Sequence, residues 1–367
     1  HYDWSGSVNW KVMKYVHLTL GRGKHFFGEG HRSLFLSDIA TGYPYFKITT
    51  TAWHIRYVNL FTMLNDVRDA NGDPSDFRRK YASFHYLSWN ASKRVNFGIF
   101  ESIVWQDDDP DYPRGFDINY LNPVVVYRPQ EFAQGSSDNA LLGLAVNARL
   151  GAATQLYGQL MLDEFLLREV RDGRGWFGNK QGFQLGVAAY DAFKAKGLFM
   201  RLEFDYVRPF TYTHSDTRQN YSHFGQPLAH PYGSNFWELV GQARYTHRRW
   251  IYGVHLSYAL LGSDMGAFSF GNNIFRPERD RNIDADNDRD DYYYGVGDGA
   301  EVRIVYSELS AAYLIDPRTG MRLEASYTFR QRMPDGHPDH ITNFFRLGIA
   351  THFRDRYRDQ EVRYVLP

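Results

Sequence analysis

The feature that most restricts what this chain can become is a period-two alternation of apolar and polar residues, repeated over long stretches. From 197 to 207, Leu198, Met200, Leu202, Phe204 and Tyr206 share one side of an extended strand, and Arg201, Glu203 and Asp205 share the other. Trp250, Tyr252, Val254, Leu256, Tyr258 and Leu260 repeat the pattern opposite Gly253, His255 and Ser257. Met321, Leu323, Ala325, Tyr327 and Phe329 repeat it opposite Arg322, Glu324 and Arg330. A helix cannot hold such a pattern on one face, because its side chains return every 3.6 residues.

Read throughout, the same period gives fourteen segments: 8–21, 44–52, 53–66, 80–90, 95–106, 140–150, 154–165, 181–190, 197–207, 236–246, 250–262, 301–315, 321–331 and 341–353. Most reach the roughly 9 to 11 residues that a tilted strand needs to cross a bilayer. The last one alternates Phe345, Leu347, Ile349, Thr351 and Phe353 with Arg346, Gly348, Ala350 and His352, and resembles the closing strand of an outer-membrane barrel. Connections decide between a soluble sheet and a membrane one. Short turns at 90–94, 151–153, 191–196, 247–249 and 316–320 alternate with long loops at 67–79, 107–139, 166–180, 208–235, 263–300 and 332–340. Tight turns at one end and long loops at the other are the outer-membrane arrangement. Hydrocarbon offers no hydrogen-bond partner, so only a closed sheet satisfies every backbone group across it.

The expected fold is therefore all-β: one closed antiparallel transmembrane barrel of about 14 strands, spanning residues 1–367 as a single domain with 354–367 as a periplasmic tail. It belongs in the outer membrane of a Gram-negative cell, loops outside, and an even strand count puts both termini on the periplasmic side. The inward face should carry Arg201, Glu203, Asp205, Glu301, Arg303, Arg322, Glu324 and Arg330. Charges of both signs in one lumen point to an ion-paired, plugged interior rather than an open pore, because a barrel of this size leaves space to be filled.

Composition agrees. Aromatics make up 17% of the chain, with 27 Tyr, 27 Phe and 8 Trp, a strand and membrane-interface repertoire. The 42 basic and 42 acidic residues cancel, so no net field favours nucleic acid, which is not an expected partner. No stretch approaches the roughly eighteen apolar residues of a membrane helix. The absence of Cys excludes disulfides, thiolate zinc sites and thiol nucleophiles. The sequence opens at His1 without an apolar leader, as a processed protein or a fragment does.

Four strings go beyond pattern: GKHFFGEGHRSLFLSDIATGYPYFK at 23–47, FDINYLNPVVVYRPQEFAQGSSDNALLG at 116–143, YGQLMLDEF at 157–165 and GQPLAHPYGSNFWE at 225–238. In that order they resemble the Wzi-type capsule-assembly barrels as they occur in Bacteroidetes, where relatives are also labelled gliding-motility RemB proteins. The resemblance implies a barrel that holds capsular polysaccharide, or a subunit of a gliding or type 9 secretion assembly. Enterobacterial barrels of this type are larger, so fourteen strands imply either a miscount or a chain shortened at its N-terminus.

Candidate chemistry is sparse. His25, Glu29 and His31 offer metal ligands in a Gly-punctuated loop, but a tight turn that fills the lumen is the simpler reading. Asp284, Asp286 and Asp288, with Asp290 and Asp291, open like a calcium loop. The pattern then fails, because Arg289 stands where glycine is needed and Gly295 where the bidentate Glu belongs; a solvated loop is the alternative to a weak Ca²⁺ site. Tyr292, Tyr293 and Tyr294 beside Asp290 and Asp291 are candidates for binding saccharide, through ring faces and carboxylates, or for anchoring at the headgroups. Asp107, Asp108, Asp109 and Asp111 read as a solvated loop. His214, His223 and His230 with Ser215, Asp216 and Ser222 hold the ingredients of a serine triad but no G-x-S-x-G elbow.

The expectation is a non-enzymatic surface barrel without a required cofactor. Its partners are outer-membrane lipid, including lipopolysaccharide, and either a surface polysaccharide or other subunits of an outer-membrane assembly. A small-solute channel is the first alternative and an outer-membrane hydrolase the second.

Overall fold

The structure is a computed structural model that describes residues 4–107, 115–122, 138–281 and 291–351. The chain forms β1 (Gly6–Met13), β2 (Val16–Gly23), β3 (Tyr43–Ala52), β4 (Ile55–Asp66), β5 (Arg78–Asn90), β6 (Val95–Gln106), β7 (Asn139–Leu150), β8 (Thr154–Leu162), β9 (Gln181–Ala189) and β10 (Leu198–Val207). A two-residue-per-strand hairpin follows, β11 (Ser222–His223) with β12 (Gln226–Pro227). The last strands are β13 (Phe236–His247), β14 (Trp250–Ser263), β15 (Ala300–Asp316), β16 (Met321–Pro334) and β17 (His340–Ala350). All except β11 and β12 belong to one 15-stranded sheet in sequence order, each strand antiparallel to the next. Among the described residues no pairing joins β1 to β17, and no helix is long and apolar enough to cross a membrane.

Fifteen strands replace the expected fourteen because the 8–21 segment is a hairpin. It turns at Lys14 and Tyr15 and pairs Trp10 with Leu18 and Val8 with Leu20. A two-residue turn by itself shifts the phase by one, since Met13 faces Val16, and the bulge between Lys11 and Met13 shifts it back, so Val8, Trp10, Val16, Leu18 and Leu20 stay in phase across it. Neither turn residue is the Gly or Asn that would announce a hairpin. Since fifteen is odd, β1 starts at the long-loop end and β17 finishes at the short-turn end. The expectation that both ends of the chain share a side rested on an even count and does not hold for the described strands. The 354–367 tail lies outside the described residues.

Burial runs opposite to that of a soluble sheet. On β10, Leu202 is 51% exposed while Glu203 and Asp205 on the other face are 1% and 0% exposed. Leu185, Leu239, Leu256 and Leu309 are exposed like Leu202. Bared leucine beside buried carboxylate is stable only where the outer solvent is apolar. The exposed residues around the short turns include a set of aromatics: Trp53, Trp89, Tyr190, Tyr245, Trp250, Tyr252 and Tyr313. That is the girdle of rings expected at headgroup level.

The inner face is covered by the segment between β2 and β3. Phe27 stacks on Tyr86 of β5, and Phe35 on Phe100 of β6. On β7, a Cβ at Gly143 would lie 2.4 Å from the Phe35 ring, so glycine there makes room for it. Leu34 N–H donates to Gln159 Oε1 of β8 (2.8 Å), and Gln184 Nε2 of β9 donates to the Arg32 carbonyl (3.1 Å). The same segment reaches Glu203 of β10, Glu238 of β13 and the His255 ring of β14. Eight neighbouring strands laid flat are roughly 34 Å wide at the usual strand spacing. Phe27 to Leu34 and Phe35 can touch all of them only because the sheet curls around this plug.

Candidate functional site

The plug divides the interior by chemistry. Towards β4, β5, β6 and β7 it presents Phe27, Leu34, Phe35 and Leu36 to a core that includes Val58, Leu60, Phe84, Phe100 and Leu141. Towards β8, β9, β10 and β13 it presents backbone amides and Arg32. Glu203 accepts the amides of His31 (2.7 Å) and Arg32 (2.8 Å) and the Tyr157 hydroxyl (2.6 Å). A Cβ at Gly30 would come within 2.5 Å of Glu203 Oε2, so the bare backbone is what allows this approach.

Next to it, Asp205 and Glu238 stand directly opposite each other in the β10–β13 register, both fully buried. Like charges facing across strands are destabilising. Arg32 compensates with a two-pronged bond to Glu238 (Nε–Oε2 3.0 Å, Nη2–Oε1 3.1 Å), and His230 Nε2 lies 2.9 Å from Glu238 Oε2. Among the described residues, Asp205, His230 and Glu238 are the one group of three imidazole or carboxylate side chains close enough to share a metal, their ligand atoms within 4.8 Å of one another. They suit an ion pair better. His230 Nδ1 takes the Tyr232 amide (3.2 Å), so the ring proton sits on Nε2 towards Glu238, whereas a metal-bound histidine donates from its other nitrogen. A cation there would also face the Arg32 guanidinium.

Burial pushes His31 down to about 3, with Arg32, His255 and Arg201 adding to it, and pushes His230 down to about 4. Burial likewise holds His223 at about 3, with Lys80 and Arg22 adding to the effect. All three are neutral in the fold, while the unfolded chain takes up protons near pH 6.5. Stability is then complete above about pH 6.5 and falls with pH towards 3 to 4, because the unfolded state binds more protons in that window. Urea midpoints at pH 7 and pH 4.5 should show the drop, and an unchanged midpoint would show that these rings are not held neutral.

At the long-loop end, separate loops are tied together. Lys180 Nζ, fully buried, pairs with Glu164 (3.1 Å) and with Glu278. Arg208 donates to the carbonyls of Asn179 (2.9 Å), Trp176 (3.2 Å) and Tyr294 (3.1 Å). Between the loops lies an open cleft of about 530 Å³, lined by Pro227, Tyr232, Asp264, Asn272, Asn273 and Phe275 among others. The void beside Glu29 and Tyr157 is about 10 Å³, room for at most one water.

The expected site residues fare differently. Of the lumen charges, Glu203 and Asp205 join the plug cluster, and Arg201 reaches the Glu29 carbonyl (3.4 Å). Arg322 and Glu324 pair with each other (2.9 Å) on the inner face. Arg303 does not face the lumen. It stands opposite Leu260 on the outer face and pairs there with Glu301 (2.5 Å), so the inward assignment of both residues is corrected. No clear alternation precedes Val302, and the phase at the start of β15 was not readable.

The tyrosine run splits. Tyr294 is buried against Phe210, Tyr292 lies under the Arg174 guanidinium (3.8 Å), and Tyr293 is 58% exposed. Asp291 pairs with Arg281 (3.0 Å). Asp284, Asp286, Asp288 and Asp290 lie outside the described residues, as do Asp108, Asp109 and Asp111. His25 packs between Tyr43 and Tyr45, Glu29 accepts from Gln155 (3.2 Å) and His31 pairs with Gln242 (3.0 Å), so these three do not form one centre. His214 accepts the Asp216 amide (3.2 Å), His223 that of Asn65 (3.0 Å), and His230 is committed to Glu238, so no triad is assembled from them. Arg32 and Glu238 were missed, although Glu238 sits in phase with Phe236 and Val240, an acid where an inner face should be.

A single meander sheet with an apolar outer face and a filled interior is the fold of the outer-membrane β-barrel proteins. Within that class it is Wzi-like: 93% of the chain overlays 69% of the solved structure described as Wzi, an outer-membrane protein involved in group 1 capsule assembly in Escherichia coli and a carbohydrate-binding β-barrel, with a TM-score of 0.59 at 14% identity. OccD1 (OprD) matches with a TM-score of 0.48 at 11% identity, covering 95% of this chain and 78% of its own, and Pseudomonas aeruginosa OccD3 (OpdP) with 0.47 at 12%, covering 92% and 74%. No family model and no curated protein sequence matches the chain.

Proposed function

We propose that this is a non-enzymatic barrel of the Gram-negative outer membrane, closed between β1 and β17, that holds a surface polysaccharide against its long-loop end. The observation that carries this reading is the plug. A segment bonded from Phe27 to Leu36 onto eight strands fills the part of the interior it spans, which supports a barrel whose accessible chemistry lies in the loops over one that passes solute. There the open cleft has the volume of a small-molecule site, and Tyr232, Phe275, Asn272 and Asn273 are among the residues that line it. Ring faces against sugar C–H groups and amides against hydroxyls are the usual terms of saccharide recognition. The Wzi-like fold supports the same reading, since that neighbour is described as carbohydrate-binding. The gliding or secretion role draws no support from these likenesses.

The purified barrel should retain polysaccharide isolated from its own cell surface in a sedimentation or calorimetric assay. Phe275→Ala tests the cleft and Tyr293→Ala the exposed member of the tyrosine run. Loss of one stacking ring is expected to weaken binding by a factor of roughly 3 to 10. A wild-type protein that retains no polysaccharide would overturn the proposal.

A further inference from the structure

We propose that the short helix Leu167–Asp172 and its flanking residues form a binding surface for phosphorylated lipid of the outer leaflet; this rests on the reading of the sheet as membrane-spanning. The helix follows β8 by four residues. It is anchored by Leu166 N–H donating to Asn179 Oδ1 (2.8 Å) and is stopped by Gly173 in the left-handed conformation (φ 66°). Such a helix should pack its apolar side on the protein, but this one buries only Glu169. Leu166 and Leu167 are 51% exposed and Val170 40%. At 100° per residue these three share one arc, and Arg168 and Arg171 occupy the adjoining arc.

The charge is as exposed as the apolar side. The Arg168 side chain is 84% exposed although it pairs with Glu169 (2.9 Å), Arg171 is exposed, and Arg174 lies over Tyr292 just beyond the helix. Asp172, also exposed, offsets part of this, and the three arginines leave the strip net cationic.

Position names the occupant. The outer face below the helix carries Leu156 and Leu160 of β8 and Phe183 and Leu185 of β9, all exposed. Four residues separate the helix from the long-loop end of β8, and on the proposed reading its exposed apolar arc extends that wall to the rim, where acyl chains give way to headgroups. An interfacial helix buries its apolar face at this boundary while guanidinium groups reach the phosphates above, which they bind in forked pairs.

The test is native mass spectrometry of the intact barrel, released from neutral detergent with added lipid A, either bis-phosphorylated or enzymatically dephosphorylated. The phosphorylated form should be retained roughly tenfold more, and Arg168→Gln/Arg171→Gln should abolish that preference. An unchanged thermal midpoint and unchanged polysaccharide retention identify the double variant as folded. Inorganic phosphate at equal concentration should not displace the lipid; if it does, the surface is a free-phosphate site and the lipid assignment is overturned. Equal retention of the two lipids by wild type, or an undiminished preference in the variant, overturns it as well. Should wild type stay monodisperse without detergent, the membrane reading itself has failed, which is a different outcome from either.

Discussion

Arg32→Met is expected to cost the folded barrel about 3 to 5 kcal/mol, the penalty for leaving a buried charge without its partner. Glu238 is fully buried and faces Asp205 directly across the strand pair, with Glu203 on the next inner position of β10. The Arg32 guanidinium is bonded to Glu238 within this row of carboxylates and comes from the plug, so its loss both unpairs Glu238 and loosens the segment that fills the interior. The urea midpoint of Trp fluorescence in lipid vesicles should fall accordingly. Adding Glu238→Leu should recover much of the loss, because replacing both members of a buried pair with apolar groups is close to neutral. An Arg32→Met protein as stable as wild type would mean that the plug is not held by charge.

Excising residues 25–41 is expected to convert a silent bilayer into one with resolved conductance steps. Gly23 and Tyr43 already pair across β2 and β3, and the excision leaves Lys24 and Gly42 between them, so Lys24→Asn supplies a two-residue Asn-Gly turn that joins the strands without disturbing either. What departs is the bridge between the apolar inner wall of β4 to β7 and the polar wall of β8 to β14. The loop between β10 and β13 remains, but it loses its footing: Tyr212 and Tyr221 donate to the Leu34 and Phe35 carbonyls at 2.7 Å each. Planar-bilayer recording decides the matter. If the excised barrel stays silent while inserting normally, the plug is not what blocks passage. If the intact chain conducts, the interior is not sealed.

Much of this architecture was legible in the chain. The 197–207, 250–262 and 321–331 segments appear as strands in the expected phase, because side-chain direction in a strand depends only on local backbone geometry. The alternation of short turns with long loops was equally readable and fixes the meander. The lapses share one cause, which is that parity is silent about certain events. Lys14 and Tyr15 turn the chain, and the bulge between Lys11 and Met13 cancels the phase shift that the turn introduces. At Arg303 the phase is set by pairing with β14 and not by any repeat of its own. The run Tyr292 to Tyr294 looked like one surface, yet Arg174 and Phe210 from two other loops take a ring each.

The sequence by itself determined an all-β meander with an apolar outer face and charged inner positions, since a period of two and the residues that punctuate it are properties of neighbours along the chain. Only the tertiary structure decided what fills that interior and which charges meet. Arg32 and Glu238 are 206 residues apart. Each is an unremarkable polar residue until the sheet curls and low dielectric forces buried charges to find partners, a constraint that acts across space and leaves no local mark in the string.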